Sequence, residues 1–99
     1  MNIPIDKLNK AFESRIRLGI MSVLMVNDTV DFARMKELLQ TTDGNLASHV
    51  AALEKEEFVK VTKQFVGKKP NTSFRATKLG RKAFSDHIDA LEKLLKSAR

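Results

Sequence analysis

The chain has 99 residues, enough for one domain with a modest core, and a formal net charge of +6. It contains no Cys, so disulfides, thiolate metal sites and cysteine nucleophiles are excluded. No apolar run has the length of a membrane span, and residues 1–20 lack the pattern of a signal peptide. We therefore expect a cytoplasmic protein with no membrane partner.

The positive charge is concentrated in one part of the chain. From Lys60 to Lys82 there are eight basic residues and no acidic residue, whereas the rest of the chain carries ten basic and twelve acidic groups. A solvated surface usually mixes both signs, so this block predicts one local surface for a polyanion. Its members are Lys60, Lys63, Lys68, Lys69, Arg75, Lys78, Arg81 and Lys82.

The first predicted element is a helix that begins at Asp6, after an extended lead at residues 1–4. Apolar residues recur in it every three or four positions, and a second apolar edge accompanies them. The first edge consists of Ile5, Leu8, Phe12, Ile16, Ile20 and Val23. So wide an apolar sector predicts that one edge packs in the core while the other contacts a second subunit. Asn27 and Asp28 end this helix.

A short edge strand at residues 29–31 and a second helix at residues 32–39 are predicted next. In this helix, Arg34 and Lys36 point away from the apolar face. Each of these two side chains either contacts the phosphate groups of a polyanion or is simply solvated.

The stretch from Thr41 to Glu57 is predicted to be a helix with one apolar edge and one small, polar edge. Thr41 or Thr42 would cap its first amide groups, and its core-facing edge consists of Leu46, Val50 and Leu53. The opposite edge consists of Asn45, Ser48, His49 and Ala52. Short uncharged side chains let a helix approach base-pair edges in a major groove. An ordinary amphipathic helix in a helical bundle shows the same pattern.

The hydrophobic period then changes from helical to alternating. Residues 58–66 and 73–76 are predicted to be two strands of a hairpin. A turn at residues 67–71, rich in turn-forming residues, joins them and carries Lys68 and Lys69 at its tip.

A last helix is predicted from Thr77 to about residue 97. It is too long for a small core to cover, and its apolar residues have the spacing of a helix that pairs with another helix. We therefore predict a two-fold homodimer formed by the first and last helices. Its predicted contacts are Leu8, Phe12, Ile88, Leu91 and Leu95.

The order helix, short strand, helix, helix, hairpin, helix resembles that of small bacterial and archaeal winged helix-turn-helix regulators. The segment DGNLASHVAALEKEEFVKV resembles their recognition helix and first wing strand, FVGKKPNTSFRAT resembles their wing, and TKLGRKAF resembles the start of their last helix. The similarity extends over residues 11–95. It is to the single-domain regulators related to the MarR and ArsR groups, which bind operator DNA as dimers.

The resemblance implies a mostly α fold with a small β-hairpin wing (α+β), as one domain over residues 1–99. The core would span about residues 11–82, and the dimerisation helix about residues 77–97. Base reading would fall on Asn45, Ser48 and His49, and wing contacts on Lys68, Lys69 and Arg75. The composition and helical pattern add Arg34, Lys36 and Lys63 as further candidates for contacts with the DNA backbone.

No cofactor or metal site is predicted, because His49 and His87 are not spaced as a ligand pair. His49 either reads the groove or packs against the fold, and His87 is expected on the helix surface or in the dimer contact. ArsR-type metal sensors use sites that contain cysteine, which this chain cannot reproduce.

The predicted function is a sequence-specific transcriptional regulator, acting as a repressor, that binds a palindromic operator on double-stranded DNA. The alternatives are a winged-helix module for protein contacts and a non-specific architectural DNA-binding protein. An enzyme is not predicted, since no nucleophile, base or phosphate loop is recognisable. The sequence does not identify a small-molecule effector.

Overall fold

The computed structural model describes residues 5–97, so the extended lead predicted for residues 1–4 lies outside the described range. Within that range, two 3-10 turns (Ile5–Lys7 and Lys10–Phe12) precede four helices and three strands. The elements are α1 (Arg15–Met25), β1 (Val30–Asp31), α2 (Phe32–Leu39), α3 (Asp43–Lys55), β2 (Val59–Val66), β3 (Lys69–Ala76) and α4 (Lys78–Ser97). The strands form one antiparallel sheet in the order β1-β3-β2. The predicted winged helix fold is confirmed.

The first helix is shorter than predicted, because two polar side chains interrupt it. Asn9 Oδ1 accepts a hydrogen bond from Ala11 N at 2.9 Å, and Ser14 Oγ accepts one from Arg17 N at 3.3 Å. Both capping residues have an extended backbone. Side chains that bond nearby amide groups compete with helical hydrogen bonds, so the continuous helix predicted from Asp6 is wrong over its first half.

The hairpin of β2 and β3, hereafter the wing, has a tighter turn than predicted. Val66 pairs with Lys69, which leaves Gly67 and Lys68 as a two-residue loop. Gly67 has a φ of 65°, and a glycine with positive φ at the first loop position is typical of a type II′ hairpin turn.

The predicted turn at residues 67–71 and the predicted strand at residues 73–76 are therefore corrected, since β3 already begins at Lys69. Proline lacks the N–H group that a strand donates to its neighbour, so Pro70 spoke against a strand in this segment. Pro70 is tolerated because it belongs to the residue pair next to the pair that closes the two-residue loop. In antiparallel strands that second pair exchanges no backbone hydrogen bonds. The nitrogen of Pro70 consequently faces away from β2, where no donor is needed.

The core lies between the helices and the inner face of the sheet. As predicted, α3 contributes Leu46, Val50 and Leu53, which are all buried. Phe12 lies at the centre of an aromatic group, with its ring centroid 5.4 Å from that of Phe58 and 5.2 Å from that of Phe84. The segment before α1 thus combines short 3-10 turns with packing of Phe12 in the core.

Gly80 allows α4 to contact the backbone that leads into β2. A Cβ atom at this position would collide with the carbonyl oxygen of Phe58. The hydroxyl of Thr77 fixes the same junction, because it accepts from Gly80 N at 2.8 Å and donates to the carbonyl oxygen of Glu57 at 2.7 Å. The start of α4 and the start of the wing are therefore joined by backbone contacts.

His87 is buried on α4 and is neither a surface nor a dimer-contact residue, contrary to prediction. Its Nδ1 accepts a hydrogen bond from Asn9 N at 3.0 Å, and its ring lies 5.3 Å from that of Phe12. Burial lowers the pKa of His87 below its ordinary value of 6.5, and the negative charge of Glu13 opposes this shift.

We predict that Gly80→Ala lowers the free energy of unfolding by about 3 kcal/mol, because the added methyl group meets a backbone atom that cannot rotate away. The matched control is Gly44→Ala in α3, where no atom lies within 4 Å of the added Cβ. That variant should keep its stability or gain up to about 1 kcal/mol. Urea titration of both variants tests the difference, and equal effects would contradict the close approach of α4 to Phe58.

We also predict that stability falls as the pH is lowered from 7.5 to 5.5. Because the native pKa of His87 lies below its unfolded value, the unfolded chain binds protons more strongly than the native protein at pH values below about 6.5. Urea midpoints measured across this range should decrease in the wild type and decrease less in His87→Gln, which retains a hydrogen-bond acceptor. Ser85→Ala, an exposed residue of the same helix that does not titrate, is the control and should keep the wild-type slope. An unaltered slope in His87→Gln would overturn the assignment.

Candidate nucleic-acid interface

The third helix begins as predicted and presents two of the proposed base-reading residues to solvent. Thr42 is its N-cap, since Oγ1 of Thr42 accepts a hydrogen bond from Asn45 N at 3.2 Å. The side chains of Asn45 and Ser48 are exposed near the start of the helix. Residues near the N-terminus of a recognition helix are those that reach base edges in helix-turn-helix proteins.

His49, the third proposed base-reading residue, lies on the flank of α3 that faces α1. It is half-buried, and its Nδ1 accepts a hydrogen bond from Arg17 Nε at 3.1 Å. An accepting Nδ1 leaves the imidazole proton on Nε2, which is then the donor available to a ligand. Contact of this donor with a base remains a prediction. The sequence pattern does not indicate Arg17 as a partner of His49, because Arg17 lies on another helix.

The exposed face of α3 is made of smaller side chains than the sequence pattern indicated. Gly44, Ala47, Ser48 and Ala51 are all exposed, and their spacing places them on one face of the helix. The sequence interpretation missed Ala47 and Ala51, although this spacing of small residues was the available signal. With no long side chain before Glu54, the first two turns of this face can approach the floor of a groove closely.

The basic side chains on α2 form ion pairs within the chain. Arg34 Nη1 lies 2.8 Å from Glu37 Oε1, and Lys36 Nζ lies 2.9 Å from Asp43 Oδ1 at the start of α3. Exposed pairs of this kind contribute about 1 kcal/mol or less, so either cation can exchange its carboxylate for a phosphate at little cost.

The wing places three of the predicted backbone-contacting lysines in solvent: Lys63, Lys68 and Lys69. Its outer half also exposes Phe65 and Val66, with 74% and 61% of their surfaces accessible. The sequence interpretation treated both as ordinary strand residues. They are exposed because β1 pairs with β3 only at Ser73 and Phe74, so no third strand accompanies the tip.

A groove with a volume of 590 Å³ separates α3 from the wing. One wall consists of Ala47, Ala51 and Glu54, and the other includes Lys63 and Thr72. The small face of α3 and Lys63 of the wing therefore flank one concave surface.

Arg75 does not line this groove, and its contact with the DNA backbone stays a prediction. In the strand register Arg75 lies opposite Lys60 at the base of the wing, about 20 Å along the strand from the turn. Alternation along β3 directs Arg75 away from the face that carries Thr72 and opposes α3. The sequence could not show the distance between Arg75 and the turn, because residue order does not reveal how far the two wing strands extend.

The basic block predicted as one surface is consequently divided. Lys63, Lys68 and Lys69 lie on the wing, and Lys82 forms an ion pair with Asp86 at 3.0 Å. The other four line a separate cavity behind the sheet: Lys60, Arg75, Lys78 and Arg81.

Of the five predicted dimer contacts, Phe12 is withdrawn, because only 1% of its surface is accessible in a single chain. Leu8 and Leu91 are half-buried, while Ile88 and Leu95 are 42% and 73% exposed. No residue of α4 beyond Ala90 is buried in the part that the structure describes.

Comparison with known proteins identifies the family. A model described as a winged helix DNA-binding domain matches residues 16–95. The chain belongs to this family. Helix α3 and the wing lie within the matched region, as does α4 up to residue 95.

Individual relatives agree with this assignment. An uncharacterised protein of Methanocaldococcus jannaschii is 34% identical over 88 residues, which cover 89% of this chain and 96% of that protein. A transcriptional regulator homologue from Pyrococcus horikoshii OT3 superposes with a TM-score of 0.79 at 27% identity, covering 95% of this chain and 98% of the other. A zinc-responsive MarR family member from Lactococcus lactis has a TM-score of 0.66 at 14% identity, with 99% and 67% coverage, and shows the shared fold alone.

The predicted resemblance to winged helix proteins is thereby confirmed, and the family is one of DNA-binding domains. None of the helices between residues 5 and 97 is long and apolar enough to cross a membrane. Within the same described range, no three His, Asp or Glu side chains are grouped as metal ligands.

Proposed function

We propose that this winged-helix protein is a sequence-specific transcriptional repressor that binds a palindromic operator as a homodimer. One observation carries the proposal: the exposed small and polar face of α3 lies beside a wing with three solvent-exposed lysines. A recognition helix in the major groove supplies base contacts, and lysines on the DNA backbone or in the minor groove position it. Repression follows from occupation of a promoter by the bound dimer.

Different residues would perform the two tasks. Asn45 and Ser48 offer hydrogen-bonding groups for base edges, and His49 offers its Nε2 proton. The phosphate contacts would come from Lys63, Lys68 and Lys69, with Arg34 and Lys36 exchanging their ion pairs for phosphates. These roles require no bond making, so we assign the protein no catalytic activity.

The homodimer is supported by the last part of α4. At about 1.5 Å per residue, this 20-residue helix is about 30 Å long, which exceeds the 25 and 22 Å short dimensions of the chain. Its apolar residues Ile88, Leu91 and Leu95 retain exposed surface that a second copy would cover. Two-fold symmetry would place the recognition helices one turn of B-DNA apart, about 34 Å.

We predict that substitutions on α3 and on the wing weaken DNA binding in different ways. Ser48→Ala and Asn45→Ala should each lower operator affinity by about 1 to 3 kcal/mol and leave binding to scrambled DNA nearly unchanged. Lys68→Ala and Lys69→Ala should weaken binding to both duplexes. Each should also reduce the slope of log K against log salt by about 0.9 per lost phosphate contact.

The operator for this experiment comes from selection of bound DNA out of random sequence, in which a palindromic motif is expected. Fluorescence anisotropy at several salt concentrations then measures each variant on both duplexes. Lys93→Ala, an exposed lysine on α4, is the matched control and should bind as the wild type does. Equal losses on operator and scrambled DNA for the α3 variants would instead support a non-specific architectural protein.

We predict that the chain is a dimer in solution and that Leu95→Glu makes it a monomer, because the charge would be buried against the partner helix. Light scattering should give twice the chain mass of 11.2 kDa for the wild type and the chain mass for the variant. Leu79→Glu is the control, since Leu79 is also exposed but lies at the other end of α4. A wild-type protein of 11.2 kDa that still binds the operator tightly would exclude the dimer.

A further inference from the structure

A second concave surface lies behind the sheet, away from α3. It is a cavity with a volume of 930 Å³, bounded by the end of α1 and the following loop, the base of the wing and the start of α4. Its volume is within the range of about 300 to 1,000 Å³ that is usual for small-molecule sites. Its lining residues are Met25, Val26, Asn27, Asp28, Thr29, Lys60, Arg75, Ala76, Thr77, Lys78 and Arg81.

The charge of this cavity is strongly unbalanced. Four of its side chains are basic, and Asp28 is the single acidic residue among those that line it. In residues 5–97 none of the four basic side chains forms an ion pair, whereas Arg34, Lys36, Lys82 and Lys96 all do. Like charges around one cavity repel one another, so an anion bound there would be stabilised by all four.

One of the four cations is already oriented by the fold. Arg81 is half-buried, and its Nη1 donates a hydrogen bond to the carbonyl oxygen of Met25 at 3.3 Å. A guanidinium group held at one nitrogen keeps its other N–H groups available in a fixed plane, which suits two oxygens of a phosphate or carboxylate. Arg75 supplies a second guanidinium group from the neighbouring strand.

The cavity is separated from the DNA-binding surface by the sheet. Lys60 and Arg75 form a cross-strand pair whose side chains point to the face opposite Val61 and Phe74. Val61 and Phe74 line the groove next to α3. A duplex docked on α3 and on the tip of the wing would therefore leave the cavity open.

We propose that this cavity binds a small anion carrying at least two phosphate or carboxylate groups. Lys60, Arg75, Lys78 and Arg81 are its ligands, and its source is a free metabolite rather than the phosphates of DNA. The bound anion would bridge α1, the wing and α4. The proposal does not depend on sequence-specific DNA binding, because the site and its test involve no DNA contact.

The test uses the full chain with pyrophosphate and citrate as probes, and acetate as a singly charged control. Isothermal titration should show saturable binding of both probes, one per chain, with a dissociation constant of about 1 mM or below, and no binding of acetate. In ¹H–¹⁵N spectra, the affected amides should lie in residues 26–29 and 77–81 rather than at residues 67–69.

Matched variants then locate the ligands. Arg75→Gln and Lys60→Gln should each weaken pyrophosphate binding about tenfold, consistent with the loss of one charged hydrogen bond. Lys68→Gln and Lys69→Gln remove the same charge from the wing and should bind pyrophosphate as the wild type does. Arg75 and Lys60 are chosen because both are exposed, so their replacement should leave the fold intact, which a thermal melt of each variant checks.

Three results would overturn the proposal. The first is the absence of saturable binding at about 10 mM probe, well above the expected dissociation constant. The second is equal weakening by the wing variants, which would place the anion on the wing. The third result comes from DNA binding measured without pyrophosphate or citrate. If Arg75→Gln reduced the affinity for DNA and its salt slope as much as Lys68→Gln does, the cavity would be a site for backbone phosphates. Failure of the operator experiment alone would leave this proposal standing.

Discussion

The arrangement of α3 and the wing, the two elements that we propose contact DNA, depends on their junction with α4. The hydroxyl of Thr77 bonds both Glu57 and Gly80, and Gly80 brings the helix against the backbone of Phe58. At this junction α3, the wing and α4 are held by backbone contacts, whereas side-chain packing alone would leave them free to rotate relative to one another. Because β2 starts at this point, the direction of the wing relative to α3 is set there. The last helix, which we propose as the dimer contact, is therefore linked to both DNA-binding elements through one rigid joint.

The division of the basic residues changes how the net charge is interpreted. A chain of +6 with one basic block is expected to have one polyanion surface, and only the wing lysines match that expectation. Four of the other five cations of the block face a cavity with its own walls. Net charge still attracts DNA over long distances, since the field of all groups adds up at low salt. The surface that a strand cation joins depends on its distance from the tip of the wing as well as on the side of the sheet, which alternation reverses at every position.

The sequence predicted every helix and strand type correctly, because helical and alternating periods are local signals. It also placed Leu46, Val50 and Leu53 in the core and Thr42 among two candidate caps. It failed where a single polar side chain outweighed the period, as Ser14 does before α1. It failed again where burial depends on distant partners, as for Phe12 and His87. The facing of Arg75 and the contact between Arg17 and His49 needed the tertiary structure, since neither is encoded by nearby residues.

The hydrogen bond between Arg17 and His49 affects the entropy of any contact made by the recognition helix. A free histidine samples several rotamers and two tautomers, and a ligand must select one combination of them. In this protein the guanidinium group of Arg17 has already selected a ring orientation and proton position during folding. The ordering cost is then borne by the folded state, so association through Nε2 would proceed with a smaller loss of conformational freedom. A preordered donor also discriminates more sharply, because it cannot turn to suit a base presented at the wrong angle.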